Sequence, residues 1–453
     1  MIEALGAEVV GLRAEVVELR RRLDRNSRNS SQPPSGDGPA VAPRRARREG
    51  SGRRAGKQPG APGSTLVLVD DPDEIVDHLP TACGGCGTDL ARATPAGHVR
   101  RQVHDIPEIT TRVVEHRLHR RRCGCGRVNT AQAPSGVGAP AQYGPNLRAL
   151  ACYLLVFQHV PAERTALALA EVCGARVSVG WVAGVLTPVA AALADVEKLI
   201  KTLITLAHVV HVDETSSNIN GARWWLHVGA TDRFTAYHLH RSRGRAAVAE
   251  FGILPGYRGV AVHDALSVYD AYPDATHALC GAHLARELTA AVEAHPKEIW
   301  PAQAIEALLG LNNAAHHARD QAMSVIPPEI ADPLHHRWQH AILCGLATHR
   351  AVPGRKQTKT RNLLTRLRDR DEQVLGFARD LTVPFTNNQA ERDLRPVKTQ
   401  LKISGCHRSE TRAREWLTIR GYISTVRKHG HDVLTALRAA ITGNPWTPPL
   451  PAT

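Results

Sequence analysis

The sequence predicts a multidomain α+β chain: a mixed sheet with helices against it, interrupted by a helical insertion and preceded by several smaller parts. Three observations lead there. Strand-like runs His208–Glu214, Arg223–Thr231 and Phe234–Arg241 follow one another closely. A helix (Arg245–Gly252) and two short strands (Gly259–His263, Thr276–Cys280) come next, which suits a mixed sheet flanked by helices. Strand signals then stop, and Ala302–Met323, Ile330–Thr348 and Thr360–Leu381 read as helices of an inserted block.

The order of parts starts with a heptad over 1–25, with Ile2, Val9, Val16 and Leu23 at a and Leu5, Leu12 and Leu19 at d. β-Branched residues at a with Leu at d favour a parallel pair, so this is a short dimerising zipper or a helix packed on its own core. Residues 26–64 are rich in Asn, Ser, Pro, Gly and Arg, with Val41 the only large aliphatic residue, and read as a disordered basic linker. Residues 65–135 read as a small strand-rich, zinc-ribbon-like module. Cys83-Gly-Gly-Cys86 and Cys123-Gly-Cys125 bracket alternating segments such as Thr111–Leu118. Four thiolates on two turns suit one tetrahedral Zn²⁺, with free structural or redox thiols the alternative; Cys-x-Cys is tighter than the usual knuckle. Residues 140–205 are helical. Glu163–Cys173, a turn at Gly174 and Ser178–Leu186 have the proportions of a helix-turn-helix or of an ordinary helical hairpin. The core's first part spans 206–285, the helical insertion 286–382, and 383–445 complete the core with basic helices.

Composition narrows the function. The chain has 453 residues, 43% of them hydrophobic, which excludes a wholly disordered protein. No run reaches ~18 apolar residues, and Glu3 and Glu8 stand where a signal peptide wants positive charge, so the expectation is a cytoplasmic chain with no membrane partner. Nine cysteines, an odd count, fit free thiols or a metal site in a reducing compartment. Of the net charge of +14, Asn26–Ser64 contribute +6 and Arg392–Lys428 contribute +7. Charge gathered in this way suits a polyanion, and nucleic acid is the usual one; the bland reading is a solvated basic face. The linker's Arg44, Arg45, Arg47, Arg48, Arg53, Arg54 and Lys57 could lie along phosphates without reading sequence. Arg392, Arg395, Lys398 and Lys402 are further DNA-binding candidates, and Arg392 and Arg395 could hold a scissile phosphate or simply neutralise nearby carboxylates.

Three carboxylates stand out by position. Asp213 closes the apolar strand in HVVHVDET, Asp264 closes the one in GVAVHDA, and Glu391 begins a helix in TNNQAERDLRP. Carboxylates at neighbouring strand ends, joined by one from a helix, can hold two divalent cations about 3.5–4 Å apart for in-line phosphoryl displacement. Hard Mg²⁺ prefers such ligands. A strand-end Asp alone is more often a turn former. Asp393 competes with Glu391 on the same helix, and helical geometry does not separate them. Asn387 and Asn388 read as caps of that helix, with a DNA contact the alternative. Cys280 and His283 read as a buried thiol and a cap of the next helix, with metal ligation the alternative; the sheet histidines His211, His227, His238 and His240 read as satisfied within the sheet, and Trp224 and Trp225 as sheet packing rather than base-stacking.

The stretches VDET, WWLHVGAT, RGRAAVAEFGILPGYRGVAVHDALSVYDAY, HALCGAHLARELTAA and PFTNNQAERDLRPVKTQLKISG closely resemble the large transposase of the insertion sequence 66 family. The zipper, the NSRNSSQPPSGD linker, GKQPGAPG and the paired cysteines match its layout, so the resemblance covers nearly the whole chain. It implies an RNase H-like core whose DDE triad is Asp213, Asp264 and Glu391, with two Mg²⁺ or Mn²⁺ ions there and one structural Zn²⁺ at the cysteines. It also implies a bacterial, nucleoid-associated transposase that cuts element ends to free 3′-hydroxyls and joins them to target DNA. Expected partners are element and target DNA, a second copy or higher oligomer, and small accessory proteins of the same element. Two rivals are a non-catalytic DNA-binding regulator and a hydrolytic nuclease of the same fold, which would cleave but never join.

Overall fold

The structure is a computed structural model that describes residues 66–450 and Val16. The zipper heptad, apart from the helical and exposed Val16, and the basic arm Arg44–Lys57 lie outside the described residues. The chain divides into two compact units, residues 44–110 and the remainder.

In the smaller unit, the described residues are mostly extended and held by side chains. Gln102 brackets Val69, accepting from its N–H and donating to its carbonyl, both at 2.8 Å. Around Cys83 the chain folds into a tight turn: Cys83 N–H donates to Thr88 O (2.9 Å) and Gly87 N–H to Cys83 O (2.8 Å).

The larger unit opens with a two-stranded ribbon, β1 (Arg120–Arg122) and β2 (Val128–Thr130). Its strand content is smaller than the alternation in Thr111–Leu118 predicted. That segment forms no strand, and Val113 is 88% exposed, so the alternation has no apolar surface to face. Helices α1 (Pro145–Cys152), α2 (Ala162–Cys173), α3 (Val179–Gly184), α4 (Leu186–Ala192) and α5 (Ala194–Thr205) follow. Gly174 closes α2 at φ 64°, a left-handed position glycine adopts without steric cost. Ser178 Oγ caps α3 by accepting from Trp181 N at 3.1 Å.

The central sheet has the order β5-β4-β3-β6-β7, built from β3 (Val209–Ile219), β4 (Ala222–Ala230), β5 (Thr235–His240), β6 (Val260–His263) and β7 (Thr276–Leu279), with α6 (Arg245–Phe251) between β5 and β6. β3, β4 and β5 are antiparallel; β6 and β7 join parallel to β3. The first strand therefore runs five residues beyond its expected end, and Asp213 lies within it, opposite Val228, rather than closing it. The cause is local. Asn220 (φ 47°) and Gly221 (φ 81°) form a tight two-residue hairpin loop, so Thr215–Ile219 zip onto Ala222–Leu226.

Helices α7 (Gly281–Ala294), α8 (Trp300–Asp320), α9 (Pro328–Thr348), α10 (Lys359–Asp369), α11 (Asp371–Val374) and α12 (Gly376–Arg379) form a second apolar core against β6 and β7. The expected helix Thr360–Leu381 is three shorter ones. The final helices α13 (Asn388–Ser404), α14 (Glu410–Lys428) and α15 (Val433–Ile441) share the first core with β3–β5 and α1–α5. No single helix among the described residues is long and apolar enough to cross a membrane.

Candidate active site

Parallel pairing sets the heart of the site. β3 and β6 are in register with His211 opposite Val262. Two residues further along each strand stand Asp213 and Asp264, so the shared direction of the two strands delivers both carboxylates to one place. One carboxylate oxygen from each of Asp213, Glu214 and Asp264 lies within 4.8 Å of the others. Burial, followed by the charges of Glu214 and Asp264, pushes the Asp213 carboxyl up to about 7; Glu391 adds to the repulsion. Crowded, desolvated carboxylates of this kind are costly without a counter-charge.

The carboxylates differ in what they already bind. Glu214 is committed: Oε1 accepts from Arg243 Nε at 2.8 Å and Oε2 from Tyr269 Oη at 2.5 Å. Asp213 Oδ1 accepts only the Glu214 N–H (2.8 Å), and Asp264 Oδ1 only the Leu266 N–H (3.1 Å). Oδ2 of each takes no hydrogen bond from the described residues, so the two aspartates keep lone pairs for a ligand. Hard oxygen donors in an electronegative pocket fit Mg²⁺ or Mn²⁺.

A histidine relay holds the turn at Asp264. Ala265 sits at φ 71°, strained for a residue with a Cβ. Its N–H donates to His263 Nδ1 (3.1 Å), which puts that ring's proton on Nε2. Nε2 then donates to His277 Nδ1 (3.0 Å), and His277 Nε2 to Tyr272 O (3.1 Å). Burial depresses both imidazoles, His263 to about 3, so both stay neutral as the relay requires.

The helix carrying Glu391 is fastened to the same sheet. Gly281 N–H donates to Phe385 O (2.8 Å); a Cβ on Gly281 would overlap the Phe385 ring, so only glycine allows this approach. Asn387 N–H then donates to Cys280 Sγ (3.2 Å). Asn387 does not cap the helix with its side chain, contrary to expectation. The fully buried amide instead reaches β3, donating through Nδ2 to Val212 O (2.9 Å) and meeting His211 Nδ1 through Oδ1 (3.0 Å). This bond ties the residue before Asp213 to the residue before α13. Glu391, half-buried in the first turn, acts on Asp213 across the gap.

Asp393 faces the other way. It is buried, with Oδ2 at 2.8 Å from Lys428 Nζ and Oδ1 accepting from Ser424 Oγ at 3.0 Å. Ala390, Leu394 and Val397 share that inward face, whereas Arg392, Arg395, Lys398 and Lys402 are exposed. At 100° per residue, Glu391 falls inside the arc spanned by those four cations, at its N-terminal end. A groove lined by Ser216, Ser217, Asn218, Arg223 and Leu401 runs between the β3–β4 hairpin and α13.

The other candidates have plain surroundings. Trp224 is buried under Arg241, and Trp225 is half-buried beside Arg243. His227 Nε2 meets Ser242 O (3.3 Å), while His238 and His240 flank Glu250 at 3.5 Å. Cys280 is a buried thiol, and His283 Nδ1 is buried without a partner among the described residues. Glu214, Arg243 and Tyr269 were not singled out by the sequence; adjacency to Asp213 in VDET was the only available signal for the first of them. Cys83 and Cys86 lie in one compact unit, and Cys123 and Cys125 in the other. Cys86 is held down to about 7 by the Thr88 hydroxyl (3.2 Å) and backbone. Cys123 is likewise lowered, by hydrogen bonds from Cys125. Thiols biased toward thiolate are prepared for a metal.

Comparison with protein families decides the relationship. The model for the transposase IS66 family matches residues 140–415, more than half the chain. The chain belongs to the insertion sequence 66 transposase family. The zinc-finger binding domain of the same transposases matches residues 80–126, a span holding all four cysteines, and a family of unknown function matches residues 1–66. A search of curated proteins gives no match. The protein is thus a transposase of an insertion sequence; its zinc-finger domain implies zinc binding, and the two matches together imply DNA binding.

Proposed function

We propose that this transposase performs DDE-type phosphoryl transfer on an RNase H-like core, with Asp213, Asp264 and Glu391 as the three carboxylates. The observation that carries the reading is the parallel β3–β6 register, which brings Asp213 and Asp264 together; the Asn387 clamp onto β3 and the Glu391 charge felt at Asp213 support the third carboxylate. The sheet order, three antiparallel strands followed by two parallel ones, supports the core assignment. Mg²⁺ or Mn²⁺ bound by these carboxylates would supply Lewis-acid activation of water and then of the 3′-hydroxyl, and would offset charge at the leaving oxygen.

The chain's own groups do the rest. Glu214, neutralised by Arg243 and buried against Tyr269, fixes the β3 backbone beside Asp213. The His263–His277 relay holds Asp264, and Asn387 sets the height of Glu391. Arg392, Arg395, Lys398 and Lys402 offer a run of cations leading away from Glu391, along which the phosphates of a substrate strand lie. Arg44, Arg45, Arg47, Arg48, Arg53, Arg54 and Lys57 add affinity without sequence preference. Cys83, Cys86, Cys123 and Cys125 share one Zn²⁺, replacing an apolar core that their segment lacks. Residues 1–25 pair two copies, 206–285 and 383–445 form the core, and 286–382 are the insertion.

A strand-transfer reaction on duplexes carrying the element's ends tests this. Joined product that requires Mg²⁺ or Mn²⁺ is expected. Cleaved but never joined ends would favour a hydrolytic nuclease, and bound but uncut ends a non-catalytic regulator.

A further inference from the structure

We propose that His295, Glu298 and His349 form a third metal site, for a borderline divalent ion such as Zn²⁺, that clamps helix ends in the block between β7 and α13. It is separate from the carboxylates at Asp213 and from the cysteine turns, and does not depend on the reaction assigned above. The three residues come from different places: His295 directly follows α7, Glu298 lies in the turn before α8, and His349 directly follows α9. One ligand atom from each lies within 4.8 Å of the others.

The spacing suits a metal. A tetrahedral Zn²⁺ with bonds of about 2.0–2.2 Å sets neighbouring ligand atoms roughly 3.3–3.6 Å apart. Glu298 Oε2 lies 2.8 Å from His349 Nε2, and its other oxygen, Oε1, lies 3.7 Å from His295 Nδ1, so each carboxylate oxygen faces one imidazole at a distance near that value.

Two of the three ligands are also oriented from behind. His295 Nε2 meets Thr360 Oγ1 at 3.0 Å, at the start of α10, which turns Nδ1 toward Glu298. Ligating histidines are commonly fixed through their second nitrogen in this way. Trp300 Nε1 donates to Glu298 Oε2 at 2.6 Å, and the two imidazoles stand edge to face at 4.6 Å. Two imidazoles and one carboxylate suit Zn²⁺ better than Mg²⁺, which prefers oxygen alone. The side chains are only 14–30% exposed, leaving room for water as a fourth ligand. An ion there would join α7, α8 and α9 directly, and α10 through Thr360.

The test uses the full chain carrying Cys83→Ser and Cys86→Ser, so that the cysteine site does not contribute. The protein is stripped with chelator, then equilibrated with Zn²⁺ in excess Mg²⁺ to keep the Asp213 carboxylates occupied by the harder ion. Elemental analysis should find one zinc per chain, and X-ray absorption should show nitrogen and oxygen ligands only. Adding Glu298→Gln, close in shape, should remove that zinc, and Thr360→Val should weaken its binding about 10–100-fold. A cysteine-substituted chain without zinc overturns the proposal, as does zinc that Glu298→Gln leaves in place; both outcomes would make the triad a hydrogen-bonded staple only.

Discussion

Asp393→Asn should destabilise the transposase while sparing its chemistry. Asp393 and Lys428 form a buried pair, 2.8 Å apart, with side chains 9% and 13% exposed. Lys428 also donates to Thr231 O (2.7 Å), Phe234 O (2.9 Å) and Thr235 Oγ1 (2.7 Å), so one ammonium joins α13 and α14 to the loop between β4 and β5. Burial pushes the Lys428 ammonium below its usual range, and the Asp393 charge opposes that fall. Removing the charge leaves the ammonium buried among neutral oxygens. Breaking such a pair costs about 3–5 kcal/mol. At about 2 °C per kcal/mol for a unit of this size, Tm should drop by roughly 6–10 °C. Thermal melts followed by circular dichroism, without DNA, measure this directly. The double change Asp393→Leu, Lys428→Met should recover most of the loss, because apolar replacements of buried pairs are often neutral. Below both melting temperatures, Asp393→Asn should still join DNA ends. A melt within about 1 °C of wild type would refute the reasoning.

Three other outcomes follow from the site. Asp213 has a folded pKa of about 7, raised above its ordinary value of 3.8, so folding favours its protonated form. Metal-free protein should therefore lose stability as pH rises from about 4 through 7, and Asp213→Asn should flatten that fall; parallel Tm–pH profiles of the two in chelator would contradict this. Asn387→Ala should cost about 1–3 kcal/mol by orphaning Val212 O and should lower strand transfer at least tenfold, with end binding intact on gel shift; unchanged joining would remove the clamp's role. Replacing Arg392, Arg395, Lys398 and Lys402 with Gln should flatten the log–log salt dependence of DNA binding by roughly 3–4, equally for end and random duplexes. An unchanged slope would show that these cations do not meet phosphates.

Local patterns made much of the sheet legible. The apolar runs through Val210–Val212 and Val260–Val262, each followed by an aspartate, revealed two strands and their acidic partners. The Asn220-Gly221 loop was equally local, yet the polar run Thr215–Asn218 hid the strand leading into it, so Asp213 was expected at a strand end. Long-range partnerships were not legible. Nothing in NNQAERD tells that Asn387 bonds to β3, 175 positions earlier, instead of capping its own helix. Lys428, 35 residues beyond Asp393, is what turns that carboxylate inward, and no helical spacing rule contains it. The same holds for Glu214, whose neutralising partners Arg243 and Tyr269 lie on separate later segments. Apolar periodicity located the helices after β7 but not the His295–Glu298–His349 cluster, because its members are helix-end residues brought together only by packing.

The central claim is that Asp213, Asp264 and Glu391 act as one metal-binding set, with Glu391 rather than Asp393 as its third member. The most direct measurement is joining of pre-cleaved element ends to target DNA by Glu391→Gln and by Asp393→Asn, each at equal folded concentration and in saturating Mg²⁺. Glu391→Gln removes a charge but almost no volume, so end binding should persist while joining is lost. Asp393→Asn should join at a rate within a few-fold of wild type. Joining by Glu391→Gln together with its loss in folded Asp393→Asn would contradict the account.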